Sequence, residues 1–307
     1  MELEKHFNSI YENYDRYIWV PIGLLIVSGI ILGANHAITG EFISKGLDFT
    51  GGTEITYSVQ GNFSTDKVES IFARQGYQGV NALTLRSQNS SSKQLVVQVP
   101  PPSIDSSQKA EQIMKEGGYN ATAKSFSSIS TAVSGQFFLQ ASLAFALAFM
   151  IMSLAIFAAF KDLVPSVAVI LAASGDIVVA LAGMALFNIQ LTLGSFAALL
   201  MLIGYSVDTD IVLSTRALKR ERGDLRKRMW ESVKTGVTMS SGGIAAFTLL
   251  FAISYIIVGP SELSNISAVM LIGLLADMPL TWFGNAIILK KYINNDFRSI
   301  EEVLEWI

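Results

Sequence analysis

The sequence contains no cysteine. Disulfides, thiolate metal sites and cysteine nucleophiles are therefore excluded. Histidine is nearly absent as well. His6 and His36 are the only two, too few for a histidine-rich metal site. Charge is scarce: 15% of the 307 residues are Asp, Glu, Lys or Arg, where a soluble globule carries about 25%. The balance of 22 basic to 25 acidic residues lacks the basic excess of a nucleic-acid binder. There is no phosphate loop, no histidine–carboxylate metal pattern and no nucleophile elbow. Nothing in the sequence points to an enzyme, a cofactor or a bound metal.

Apolar residues are what the chain has in excess, at 51%. That excludes disorder, which needs low hydrophobicity and high charge. A membrane helix needs about 20 mostly apolar residues, so long gaps between charges locate the spans. Helix breakers and polar dips divide these gaps into six, near Tyr17–Ala34, Gln136–Phe160, Leu163–Phe187, Leu191–Thr215, Gly236–Val258 and Ser264–Leu289. The turn Phe187-Asn188-Ile189-Gln190 separates the third from the fourth. Gly259-Pro260 ends the fifth, because proline cannot continue the hydrogen-bond ladder. The reading is an α-helical polytopic membrane protein.

Lysine and arginine in short loops set the orientation. Residues 216–235 hold Arg216, Lys219, Arg220, Arg222, Arg226, Lys227, Arg228 and Lys234. This segment is expected on the cytoplasmic side, as a topology anchor or as an amphipathic helix on the anionic inner leaflet. Lys290-Lys291 agrees. The segments 1–16 and 291–307 then lie in the cytoplasm and 35–135 lies outside. Glu2, Glu4, Glu12 and Asp15 precede the first span, unlike the basic start of a signal peptide, so span 17–34 is expected to stay uncleaved.

Residues 54–130 have a soluble composition. Strands are expected at Glu54–Val59, Val80–Ser87, Gln94–Val99 and Ala123–Ile129. Helices are expected after Ser64-Thr65-Asp66 and after Ser106 or Ser107. The order β-α-β-β-α-β is that of a ferredoxin-like α+β sandwich.

Two motifs stand out. Gly46-Leu47-Asp48-Phe49-Thr50-Gly51-Gly52-Thr53 follows the first span, and its glycines suit a tight turn with close chain approach. Gly204-Tyr205-Ser206-Val207-Asp208-Thr209-Asp210, running on to Arg216, lies near the inner end of the fourth span. Together with the layout of one helix, an outside domain and five further helices, they resemble the SecF family of the RND superfamily. Members of that family carry Gly-x-Asp-Phe-x-Gly-Gly-Thr after the first helix and Gly-Tyr-Ser in the fourth. Where bacterial members read Asn-Asp-Ser, this chain reads Asp208-Thr209-Asp210, a variant that looks like the archaeal branch. The resemblance implies a RND/SecF-like half that pairs with a SecD-like subunit as a heterodimer and works beside the Sec translocon channel. It would assist late translocation of polypeptides across the cytoplasmic membrane, coupled to the proton gradient. Its remaining environment would be the lipid bilayer, with no nucleic acid. The motif-turn residues it singles out are Gly46, Asp48, Gly51 and Gly52.

Charges at bilayer depth are costly and usually carry function. Asp176, Asp208, Asp210 and Asp277 qualify. A desolvated carboxylate can hold or release a proton near neutrality, as a proton relay requires. Asp208 suits that role. Asp210, with Ser206 and Ser214 at i−4 and i+4, suits a helix-packing network equally well. Thr209 stands at the bacterial acid position. Asp176 and Asp277 also read as polar contacts between helices. Lys234 aligns with an arginine that the family resemblance implicates in proton transport. Two rival functions remain open: a lipid or small-molecule transporter half of the wider RND type, and a non-transporting assembly subunit that stabilises SecD or the translocon.

Overall fold

The computed structural model describes residues 7, 8, 10–59, 63–85, 93–219, 224–294, 296, 301, 302 and 305. A short turn at Tyr14–Tyr17 leads into α1, Trp19–Thr39. After one helical turn, α2 at Leu47–Thr50, the chain enters a small domain. Its elements are β1 Gly52–Val59, α3 Thr65–Arg74, β2 Asn81–Leu85, β3 Lys93–Val99, α4 Ser107–Glu116 and β4 Ala121–Ile129. Five long helical segments follow: α5 Thr131–Phe160, α6 Leu163–Leu186, α7 Leu193–Lys219, α8 Leu225–Ile257 and α9 Glu262–Leu280. A π turn at Thr281–Asn285 continues α9 into α10, Ala286–Ile293. Six of these helical stretches are long and apolar enough to cross a membrane.

The small domain is a four-stranded antiparallel sheet in the order β2-β3-β1-β4. Alternation along β1 decides which face is buried: Ile55, Tyr57 and Val59 point inward, and Glu54, Thr56 and Ser58 lie between them. The inward face packs with Val97 and Leu95 of β3 against Phe72 of α3 and Met114 of α4. Phe72, Leu95 and Met114 are fully buried, which stabilises by about 1.5–3 kcal/mol each. Ser106 caps α4 by accepting from the Lys109 N–H at 3.3 Å. Ser64 occupies the corresponding place on α3, but its side chain makes no capping bond. Each helix also holds the strand that follows it. Glu69 accepts from the Ala82 N–H at 2.9 Å and Glu111 from the Ala123 N–H at 2.7 Å.

In the helical part, α9 packs against α6, α7 and α8. Helices α1, α5 and α8 lie at the periphery and bury few of the residues in their apolar stretches, as lipid-facing helices do. Helix α8 has 33 residues and starts at Leu225, well before the expected span start at Gly236. Charges such as Arg226 and Arg228 end an apolar run but do not end a helix. The basic stretch is thus divided between the ends of α7 and α8 rather than forming a separate amphipathic helix, and Arg220 and Arg222 lie outside the described residues. The polar run Ser87–Lys93 lies largely outside them too. At the α8–α9 junction Gly259 has φ +98°. Ser261 then opens α9 with a reciprocal capping box to Ser264.

Candidate functional site

Helices α6, α7 and α9 each bring one aspartate into the interior. Asp176, Asp210 and Asp277 are all fully buried. The Ser206 hydroxyl donates to Asp176. The Asp176 carboxyl on α6 and the Asp277 carboxyl on α9 are near enough to influence each other electrostatically, and either could hydrogen-bond the other only while carrying a proton. From α8, Ser240 makes a long 3.5 Å contact to Asp277.

The link from Asp277 to Asp210 depends on the π turn. Pro279 lies inside α9 and removes one N–H from its ladder. The next residues widen into the turn Thr281–Asn285, a local departure that recurs at functional sites. There the Thr281 hydroxyl lies 3.0 Å from Asp210 Oδ1 and 3.2 Å from Asp277 Oδ1. Asn285 Nδ2 donates to Asp210 Oδ1 at 2.8 Å. A hydroxyl carries one proton. Thr281 therefore donates to one carboxylate at a time, and can accept from the other only when that one is protonated. Ser206, Asp176, Asp277, Thr281, Asp210 and Asn285 form a continuous line of hydrogen-bonding groups. Asp176 Oδ1, Asp210 Oδ2 and Asn285 Oδ1 have no partner among the described residues, so the line keeps spare acceptor capacity where buried polar atoms are usually paired.

Asp208, Thr209 and Lys234 stand apart from this line. Successive helix positions differ by about 100°. Asp208 therefore points away from Asp210 and is exposed. Thr209 is buried against α8, where a Cβ on Gly236 would come 3.0 Å from its methyl group. Lys234 is exposed and lies over the Trp230 ring at 5.7 Å. Among the described residues no ion pair joins it to an aspartate. Arg216, at the same end, donates to the Glu231 carbonyl at 2.8 Å and to Thr235 at 2.7 Å. No group of three or more His, Asp or Glu converges as a metal site among the described residues.

The glycine-rich motif forms the joint between the small domain and α7. The Gly46 N–H donates to the Leu191 carbonyl at 2.8 Å, and the Leu191 N–H to the Ser44 carbonyl at 2.8 Å. Asp48 Oδ2 accepts from the Leu193 N–H at 2.9 Å, at the start of α7. Glu262 serves the same helix end, accepting from the Gly194 N–H at 3.1 Å and from the Thr192 hydroxyl. Gly51 and Gly52 have φ +76° and +132°, and a Cβ on Gly52 would strike the Val99 carbonyl oxygen.

A family model described as "Protein export membrane protein SecD/SecF, C-terminal" matches residues 109–295. The chain belongs to the SecD/SecF protein-export family. A SecF of Methanothermobacter thermautotrophicus is 35% identical over 288 residues, covering 93% of this chain and 95% of that protein. A SecF of Methanocaldococcus jannaschii is 35% identical over 285 residues, 92% of this chain and 96% of that one. Among solved structures, the SecDF of Thermus thermophilus, titled a translocon-associated membrane protein, superposes with a TM-score of 0.74 at 18% identity. The match covers 92% of this chain and 38% of the SecDF chain, so the chain spans well under half of that protein.

Within this SecD/SecF frame, sequence reasoning missed the role of Ser206. Helical spacing put it beside Asp210, but it turns to Asp176 on the neighbouring helix. It also missed Glu262 as a cap of α7. The one available signal for Thr281 and Asn285 was their place at i+4 and i+8 from Asp277.

Proposed function

We propose that the chain is a SecF-like subunit of the Sec export machinery, in which protons passing along the buried carboxylate line drive late translocation of polypeptides. One observation carries this reading: a single hydroxyl, that of Thr281, bridges Asp210 and Asp277 across two helices. A proton arriving at Asp277 leaves Thr281 free to donate to Asp210, and a proton arriving at Asp210 reverses that choice. The direction of this hydrogen bond is thereby tied to the protonation of acids held by α6, α7 and α9. Relative movement of those helices follows when buried charge appears or disappears, because an uncompensated buried charge is costly.

The remaining parts of the reading have separate supports. The exposed Asp208, on a helix long enough to span the bilayer, calls for a covering partner; a SecD-like subunit fits, as the joined SecDF architecture suggests. The basic ends of α7 and α8 favour the cytoplasmic side for that end of the bundle, with the termini inside and residues 35–135 outside. The strand order and its two same-face helices favour a ferredoxin-like domain there. Lys234 remains a candidate for the inner mouth of the path.

The test is export in cells lacking the native subunit, with and without a proton gradient, for Asp176→Asn, Asp210→Asn, Asp277→Asn and Thr281→Val. The reading expects loss of gradient-driven export in each. Normal export with unchanged gradient dependence in all four would leave only an assembly role.

A further inference from the structure

The π turn that carries Thr281 is not held by its own backbone alone. Pro279 gives up an N–H just before it, so its place depends on the side chains packed around it. That place is critical. Thr281 reaches two carboxylates at 3.0 and 3.2 Å, and a shift of about half an ångström takes either contact to the edge of hydrogen-bond range.

The first residues of the chain supply much of this packing. The Tyr17 ring stacks on Phe283, inside the turn, with centroids 5.4 Å apart. Pro21 lies beside Gly284, where an added Cβ would come 3.8 Å from the proline ring. Phe7, Tyr14 and Ile18 share one buried cluster with Trp282 of the turn and Leu289 of α10. Past the turn, Lys290 is held by the same segment. Its Nζ donates to the Tyr11 carbonyl at 2.8 Å. It also lies 4.2 Å from the centre of the Tyr11 ring and 5.4 Å from that of Tyr14, as cations over aromatic faces do. Lys291 adds an ion pair to Asp15 at 3.4 Å. The N-terminal segment thus grips the chain at Phe283, within the turn, and again at Lys290, after it. A cation over two rings with a carbonyl acceptor fixes direction as well as contact, which apolar packing alone does not.

We propose that Tyr17 and Lys290 are positioning residues for the carboxylate line. By tying the π turn and α10 to residues 11–17, they set the reach of Thr281 to Asp210 and Asp277. The inference rests on the export reading, in which that line carries protons.

The test measures export by the full chain in cells lacking the native subunit, at matched membrane levels. Lys290→Met keeps the stem and removes the ammonium. Tyr17→Leu keeps apolar bulk and removes the ring, and repeats the test from the other side of the turn. Each should lower gradient-driven export about fivefold and leave gradient-independent export unchanged. Lys290→Arg and Tyr17→Phe keep the cation and the ring, and should stay within about twofold of the parent. The deciding measurement adds Lys290→Met or Tyr17→Leu to Thr281→Val. Residues that act through Thr281 have nothing left to position there, so the further loss should be less than about twofold, whereas a role in stability alone adds its full loss of about fivefold. Unchanged export by both single variants, an equal fall with and without the gradient, or the full further loss on top of Thr281→Val would each overturn the proposal. Thr281→Val also separates the two readings. If it loses gradient-driven export while Lys290→Met and Tyr17→Leu keep theirs, the positioning role fails and the export reading stands. If it and the three aspartate variants all export normally, the export reading fails and the positioning role with it.

Discussion

Asp48 and Leu193 are 145 residues apart in sequence, yet the Asp48 carboxylate accepts the Leu193 backbone N–H at 2.9 Å. The first turn of α7 has no carbonyl of its own to bond, and two carboxylates from elsewhere complete it: Asp48 from the domain side and Glu262 from the start of α9. The helix that carries Asp210 is thereby tied to the joint with the small domain and to the helix that carries Asp277.

Removing this cap should be measurable. Asp48→Ala is expected to lower stability by about 1 kcal/mol, the usual worth of an N-terminal cap. Asp48→Asn should lose less, since an amide oxygen still accepts. Thermal unfolding of the purified protein in detergent checks both, and an unchanged midpoint for Asp48→Ala would show that the bond contributes nothing. Because Glu262 serves the same helix end, the double variant should depart from the sum of the singles.

Gly52→Ala should cost more than about 2 kcal/mol, since it combines backbone strain with a steric clash. Its φ is +132° and a Cβ would strike the Val99 carbonyl. Gly118 makes the control: its φ is +85° with open space around it, so Gly118→Ala should cost only about 1–2 kcal/mol of left-handed strain. Limited proteolysis of the two proteins should rank Gly52→Ala as the more easily cut. The reverse order would mean that the β1–β3 approach is looser than described.

Thr281→Ser keeps the hydroxyl and should retain gradient-driven export. Thr281→Val keeps the shape but removes the bridge, leaving the buried Asp210 and Asp277 oxygens short of a donor, a cost of about 1–3 kcal/mol. Gradient-driven export should fall at least tenfold, which is about 1.4 kcal/mol at the rate-limiting step. Equal export by both variants would remove Thr281 from the path.

Burial, and then the nearby Glu111, push the Tyr57 phenol above its ordinary value of 10.0. An acid whose folded pKa is raised contributes its stability below the unfolded pKa and loses it as pH rises beyond. The small domain should therefore weaken above about pH 10, as seen in hydrogen exchange of β1 and β3. Tyr57 Oη is buried with no partner among the described residues. Tyr57→Phe should thus be neutral or slightly stabilising at pH 7 and should blunt the alkaline loss. A large destabilisation at neutral pH would reveal a partner for the hydroxyl.

Much of the fold was legible in the order of residues because its signals are local. Apolar runs long enough to cross a bilayer mark the helices, and the alternation of Ile55, Tyr57 and Val59 marks a strand with one buried face. The site was legible only in part. Asp176, Asp210 and Asp277 stood out as charges without nearby countercharge, but Asp208 stood out equally. Helical period shows that Asp208 and Asp210 face different ways; it does not say which of them faces the protein.

Sequence alone thus determined that the chain is built of membrane-length helices with a small β-α-β-β-α-β domain between the first and the second of them, and which few acids interrupt the apolar runs. It did so because hydropathy and period act over a few neighbouring residues. Only the tertiary structure decided that Asp210 and not Asp208 joins Asp176 and Asp277, that Ser206 serves Asp176, and that Asp48 caps a helix far along the chain. Those outcomes depend on the rotation of each helix about its own axis and on which helices pack side by side. Both are set by long-range packing, such as the approach of α8 at Gly236 and the widening of α9 after Pro279.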